Sequence, residues 1–328
     1  MADLYTRISK RINMTVTAFR SDCRISAKLA LLRMCADLGG RLGLRSISVP
    51  ASKKKEAFIQ KHLEKALGSV LEHYVDDRDH GTFEPDGPIW VCWWTGEETA
   101  PALVKRCIRS IRENAGDRLV HMITRDNYKE YLDIPTYILN KVQNGSMCVA
   151  NFSDYLRFSL LAKYGGQWLD ATLFCSAPIP ADYAHAPLFT CKGTMGDPSG
   201  YLSLFRWTSF CFGGYRGNVL FRYMSDAFDA YWREHDISID YLLVDYLIDL
   251  GYRKLPAVRQ LLDAVPDNNL HRDDLQAAMN AALPATDFDA VIQPDTTLYK
   301  LSWREAYAET TADGQESIFA YFINEKRN

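Results

Sequence analysis

The feature that most constrains the fold is the run from Ser153 to Thr172, Ser-Asp-Tyr-Leu-Arg-Phe-Ser-Leu-Leu-Ala-Lys-Tyr-Gly-Gly-Gln-Trp-Leu-Asp-Ala-Thr. Tyr155, Leu156, Ser159, Leu160 and Lys163 recur at helical spacing, and Ser153 is placed to cap the first turn. Gly165-Gly166 stops the helix and supplies the backbone freedom for a tight turn. Gln167-Trp168-Leu169 then reads as a short buried strand with Asp170, Ala171 and Thr172 at its carboxyl end. Asp154 and Arg157 stand three residues apart and so share one face of the helix. Ligand sites in open parallel sheets form at the carboxyl ends of strands. The run therefore delivers two carboxylates, a guanidinium and a hydroxyl to one crevice.

The sheet itself is announced upstream. Ile89 to Trp94 is a short apolar strand closed by Thr95-Gly96. A helix follows from Pro101 through Arg112, with Leu103, Cys107, Ile108 and Ile111 on one face, and a second strand spans Arg118 to Thr124. Strand, helix and strand at this spacing form a βαβ unit. The expected fold is α/β, with a mixed, mainly parallel central sheet filling residues 86–328. A basic helical segment precedes it over residues 1–80. In that segment residues 20–45 read as one helix, ended or weakened at Gly39-Gly40, and residues 51–74 as another. The Asp-rich, Pro- and Gly-containing stretch after Asp76 reads as a linker.

Charge is unevenly placed. Residues 1–61 hold 13 Lys and Arg against 4 Asp and Glu, whereas the whole chain is at −3. A basic arm on an acidic body often marks contact with an anionic surface, so the basic helices are candidates for peripheral lipid contact at the inner face of the plasma membrane. Packing on the main domain is their plainer fate. No nucleic-acid motif accompanies the basic arm, and nucleic acid is not expected as a partner. The eight Cys include no CxxC pair and fall largely in apolar runs, which reads as reduced thiols in a cytoplasmic protein. No window has the length of an uncharged membrane span, and the N-terminus lacks a continuous apolar stretch of the secretory kind. A dinucleotide fingerprint is also missing: Gly39 to Gly43 follows a helix, and Gly213 to Gly217 has the wrong spacing.

The chemistry of the run suits a nucleotide sugar. A diphosphate must be neutralised as it leaves, which a carboxylate holding a divalent cation can do. A neighbouring Asp and Arg can hydrogen-bond sugar or ribose hydroxyls. Singly, an Asp–Arg pair on a helix is usually an exposed ion pair, and a strand-end Asp usually a turn former. Their joint spacing is what points to a site.

That spacing, Asp, Arg at +3, Gly-Gly, then Asp at +16, resembles the capsular polysaccharide synthesis family. These glycosyltransferases are related to mannosyltransferases with a DxD sugar motif and, more distantly, to glucosylating bacterial toxins. Ile89-Trp90-Val91-Cys92-Trp93-Trp94-Thr95-Gly96-Glu97-Glu98, Ile239-Asp240-Tyr241-Leu242 and Tyr299-Lys300-Leu301-Ser302-Trp303 agree with it, so the resemblance covers roughly residues 86–305. It implies a GT-A-like fold and transfer of a hexose from a nucleotide-sugar donor to a polysaccharide or lipid-linked glycan, mostly with retention. It also implies a Mn or Mg ion. It assigns Asp154 and Arg157 to the donor sugar and ribose, Asp170 to the metal and diphosphate, and Trp94 to stacking on the base. Asp240 is expected to face the donor sugar, with Lys300, Ser302 and Trp303 closing over the diphosphate. One departure stands out. The second carboxylate of the motif is here Thr172, leaving Asp170, Thr172 and Ser302 as the metal set, with Lys300 supplying part of the missing charge. The alternative is a catalytically inactive nucleotide-sugar or carbohydrate-binding subunit of a polysaccharide assembly complex.

Overall fold

The computed structural model describes residues 19, 22–85, 87–283 and 287–324. Residues 1–18, 20 and 21 of the expected basic segment lie outside them. The strands are β1 (Ile89–Cys92), β2 (Val120–Ile123), β3 (Gly166–Leu169), β4 (Leu173–Cys175), β5 (Leu188–Thr190), β6 (Cys211–Gly214) and β7 (Leu298–Lys300). Around them, together with other short helices, lie α1 (Ala27–Arg41), α2 (Arg45–Ala66), α3 (Ala102–Glu113), α4 (Val149–Tyr164), α5 (Val219–Glu234), α6 (Leu243–Lys254) and α7 (Ile318–Asn324). The fold is α/β of the GT-A-like kind.

Five strands form one sheet in the order β2-β1-β3-β6-β5. It is mixed: β1 pairs parallel with β2 and β3, while β6 runs antiparallel to β3 and β5. Alternate residues of each central strand enter opposite cores, as the two-residue period of a strand requires. Trp90, Trp168 and Phe212 pack into the layer built by α4, α5 and α6. Ile89, Val91, Leu169 and Cys211 pack into the layer of α3 and α7. Both faces are covered, which is why these strands read as unbroken apolar runs. β4 pairs antiparallel with β7 in a separate ribbon that sets Leu173 opposite Lys300.

The helix of the central run starts earlier than its sequence indicates. α4 begins at Val149 with Cys148 as N-cap, so Ser153 is an internal residue and not the cap. Phe152 explains the extension: it is buried in the core and continues the apolar face of Tyr155 and Leu156 by one turn. At the other end Gly165 takes a positive φ of 67° and closes the helix, its N–H donating to Leu161 O at 2.9 Å. Gly166 follows at φ 83°, and a Cβ there would lie 2.2 Å from Pro88 O. Only glycine lets the chain turn from α4 into β3 against β1.

The N-terminal helices also depart from expectation. α1 runs through Gly39 and Gly40 to Arg41, and the second helix begins at Arg45, with Pro50 inside it. Leu29, Ile59 and Leu63 share the core of α4 to α6. Gln60 donates to Asp249 at 3.0 Å, and Arg33 and Lys55 pair with Asp240 at 3.0 and 3.5 Å. The stretch read as a linker is tied down by reciprocal bonds between Thr82 and Arg216, at 2.9 and 3.0 Å. No helix among the described residues is long and apolar enough to cross a membrane.

Gly166→Ala should therefore be among the most damaging small changes in the chain. A strained left-handed alanine costs about 1–3 kcal/mol and the clash with Pro88 adds to it. A thermal melt should show Tm lowered by several degrees; an unchanged Tm would refute this account of the turn.

Candidate active site

The carboxyl ends of β1 and β3 open into a cleft of about 620 Å³. Its walls come from four parts of the chain. Cys92, Trp93, Trp94 and Thr95 leave β1; Ser153, Asp154 and Arg157 face it from α4; Asp170, Ala171 and Thr172 follow β3; Lys300 to Arg304 follow β7. Val149, Ser209, Tyr241 and Leu242 complete the rim. This is where ligands bind in sheets of this topology.

Arg157 is the centre of the arrangement. It is only 3 % exposed, and one terminal nitrogen donates to Asp154 Oδ1 at 2.6 Å. The other donates to Asp170 Oδ1 at 3.0 Å, and the guanidinium lies 5.1 Å from the Trp168 ring centre. Trp168 Nε1 donates to the same Asp170 oxygen at 2.9 Å. Lys300 Nζ donates to Asp170 Oδ2 at 3.2 Å and also to Thr172 Oγ1. The i,i+3 pair is thus buried, and through Asp170 its arginine bridges helix and sheet, where an isolated pair on a helix surface would be solvated.

The two carboxylates are driven in opposite directions. Burial pushes Asp154 above the usual carboxylate range, against the opposing pull of Arg157. Burial also pushes Asp170 upward, but the charges of Lys300 and Arg157, with hydrogen bonds from Trp168 and Lys300, outweigh it and hold Asp170 below that range. Asp170 therefore stays ionised at neutral pH. Three cations (Arg157, Lys300 and Arg304) face two carboxylates in the lining, which leaves the cleft an excess positive charge.

The structure brings together most of the expected residues: Asp154, Arg157, Asp170, Thr172, Trp94, Lys300, Ser302 and Trp303 all line the cleft. Trp94 stands edge-on to Phe152 with ring centres 4.9 Å apart, and Trp303 edge-on to Trp93 at 5.7 Å. Asp240 does not join them. Its carboxylate accepts bonds from Arg33 and Lys55 of the N-terminal helices and from Leu242 N, and only its neighbours Tyr241 and Leu242 reach the lining.

The expected metal set is engaged differently from the sequence reading. Asp170 presents a single carboxylate, already bound by Arg157, Trp168 and Lys300, and Thr172 is bound by Lys300. Ser302 Oγ accepts from Arg304 N at 3.3 Å. With its ammonium on these two oxygens Lys300 occupies the position a divalent ion would take, and an ion entering there would have to displace it against mutual repulsion. As placed, the Asp170, Thr172 and Ser302 set fits Lys300 and does not fit a Mn or Mg ion beside it. Among the described residues no group of three or more His, Cys, Asp or Glu side chains is placed to hold a metal ion.

Several contributors escape sequence reasoning. Trp93 and Arg304 face the cleft, and the Trp168 indole orients Asp170 while its ring fills the core. A second Trp beside Trp94 and an Arg beside Trp303 were the available signals. Trp207, by contrast, is fully buried and donates to Asp245 at 3.0 Å.

The family model for capsular polysaccharide synthesis protein matches residues 43–322, and the chain belongs to that family. No curated protein and no solved structure matches the chain.

Replacing Arg157 by Met should leave two carboxylates without their shared cation and cost about 3–5 kcal/mol of stability. Lys300→Met, at a quarter-exposed side chain, should cost on the order of 1 kcal/mol. Chemical denaturation of both variants measures the difference, and equal losses would contradict the central role given to Arg157.

Proposed function

We propose that this chain is a glycosyltransferase that moves a sugar from a nucleoside diphosphate donor to a polysaccharide or lipid-linked glycan acceptor. The observation that carries the reading is the Asp154–Arg157–Asp170–Lys300 cluster at the carboxyl ends of β1 and β3, in a net-cationic cleft. Membership of a capsular polysaccharide synthesis family gives the polymer context.

In this reading the bond from the sugar anomeric carbon to the diphosphate oxygen breaks with its electron pair leaving on the diphosphate, the acceptor hydroxyl oxygen bonds to that carbon, and the hydroxyl proton passes to the departing diphosphate oxygen. Lys300 and Arg304 stabilise the charge that grows on that oxygen. Cations preorganised in a cleft that excludes water act more strongly than in bulk solvent. Asp170 holds Lys300 in position through its 3.2 Å contact. Asp154 and Arg157 orient donor hydroxyls with charge-assisted bonds, and Trp93 or Trp94 offers a flat face to the base. Lys300 thus takes the place expected for Mn or Mg, and transfer needs no divalent ion.

The test is release of nucleoside diphosphate from a panel of nucleotide sugars, with and without chelator. Wild-type turnover should survive chelation. Lys300→Ala and Asp170→Asn should each lower kcat/KM by about 10²–10³. Turnover that vanishes with chelator, or is untouched by either substitution, would overturn the reading. Donor binding without release of diphosphate would favour an inactive sugar-binding subunit.

A further inference from the structure

We propose that the turn joining α1 and α2 is a docking surface for an anionic lipid bilayer. The sequence directs attention to the basic helices as a whole; the structure concentrates the relevant chemistry at their tip. Gly39 packs against Ser48, where a Cβ on the glycine would lie 3.0 Å from Ser48 N. The two helices close on each other there, and residues 40–47 beyond the crossing are all exposed.

What they expose is both apolar and cationic. Leu38, Leu42, Leu44, Ile47 and Val49 are exposed, Leu42 at 70 %. Arg41, Arg45, Lys53 and Lys54 are exposed, and residues 38–54 contain no Asp or Glu although the whole chain is net negative. Arg41 precedes Leu42 and Arg45 follows Leu44, so charge and hydrocarbon alternate along the tip. Lys, unlike Arg, is depleted in protein interfaces, and Lys53 and Lys54 extend the exposed positive charge from the tip along α2. A bilayer surface accepts both kinds of group at once, leucines at the acyl boundary and arginines among anionic headgroups.

The backbone of the tip is ready for that environment. Leu42, Gly43, Leu44 and Ile47 N–H donate to Leu38, Gly40, Gly39 and Leu44 carbonyls, at 3.0, 3.1, 2.8 and 2.9 Å. These donors need no water, which lowers the cost of entering the interface. The docking surface is also tied to the cleft. Arg33 of α1 donates to Ile239 O at 2.7 Å and to Asp240 at 3.0 Å. The next two residues, Tyr241 and Leu242, are exposed and line the cleft. Docking would therefore set the cleft near the bilayer whatever reaction it supports, so the inference stands apart from the transfer chemistry.

The experiment is co-sedimentation of the full chain with phosphatidylcholine vesicles, with and without phosphatidylglycerol. Wild type should partition onto the anionic vesicles and be released by salt. Arg41→Gln with Arg45→Gln should lower partitioning on the order of twenty-fold, given the contribution of each basic residue near a charged surface. Leu42→Ser with Leu44→Ser should lower it at least about tenfold. Leu119→Ser, another exposed leucine (68 %), should leave it unchanged. Unchanged thermal melts would show that all three variants fold. Absence of binding to anionic vesicles, or binding unaffected by both hairpin variants, would overturn the proposal. So would a concentration-dependent dimer lost in Leu42→Ser with Leu44→Ser and formed without any vesicle binding, which would assign the tip to a second copy.

Discussion

The structure depends on one buried guanidinium. Arg157 joins the carboxylate one turn before it on α4 to the carboxylate that ends β3, with donor–acceptor distances of 2.6 and 3.0 Å. Helix and sheet are thereby locked at the point where a ligand would enter. Removing two carboxylates and a guanidinium from water is expensive unless geometry and further hydrogen bonds compensate. The compensation here is visible: the Trp168 indole, the Lys300 ammonium and the aromatic face under Arg157 all act on the same pair. Such a cluster is poor evidence for stability by itself. It is better evidence that a fixed arrangement of charge is needed at this place.

Two constraints assemble it. Gly165 and Gly166 allow α4 to turn straight into β3, which brings Arg157 and Asp170 together across thirteen residues. The β4–β7 ribbon then carries Lys300 to the other side of Asp170, from a part of the chain 130 residues away. Leu301 N donates to Thr172 O at 3.0 Å and Lys300 N to Arg272 O at 2.8 Å, so the strand that presents the lysine is held at both flanks. The lysine stem is flexible, and the contacts of its ammonium with Asp170 and Thr172 order it before it meets an anion.

Much of this is legible in the sequence, for identifiable reasons. Helix periodicity, a double glycine and a buried strand are local signals, and together they put Asp154, Arg157 and Asp170 on one crevice. The βαβ pattern at residues 89–124 likewise defines the parallel half of the sheet. What is illegible is long-range. Nothing in the run around Lys300 announces that β7 pairs with β4 and not with the main sheet. The metal expectation rests on oxygen ligands alone, and the placement of Lys300 between two of them depends on that pairing. Asp240 misleads for the same reason: its partners Arg33 and Lys55 lie far away in sequence and turn it from the cleft. The start of α4 is misplaced in the sequence reading because Ser153 is a good cap, while the burial of Phe152 outweighs that local preference.

The central claim is that this cluster forms a site for a nucleoside diphosphate sugar. Calorimetric titration of the full chain with such donors tests it most directly, free nucleoside diphosphate serving as competitor and a chelator being present throughout. The account predicts one-site binding for at least one donor, displaced by its nucleoside diphosphate and lost in Lys300→Ala. Absence of binding across the donors, or binding that Lys300→Ala leaves intact, would contradict it.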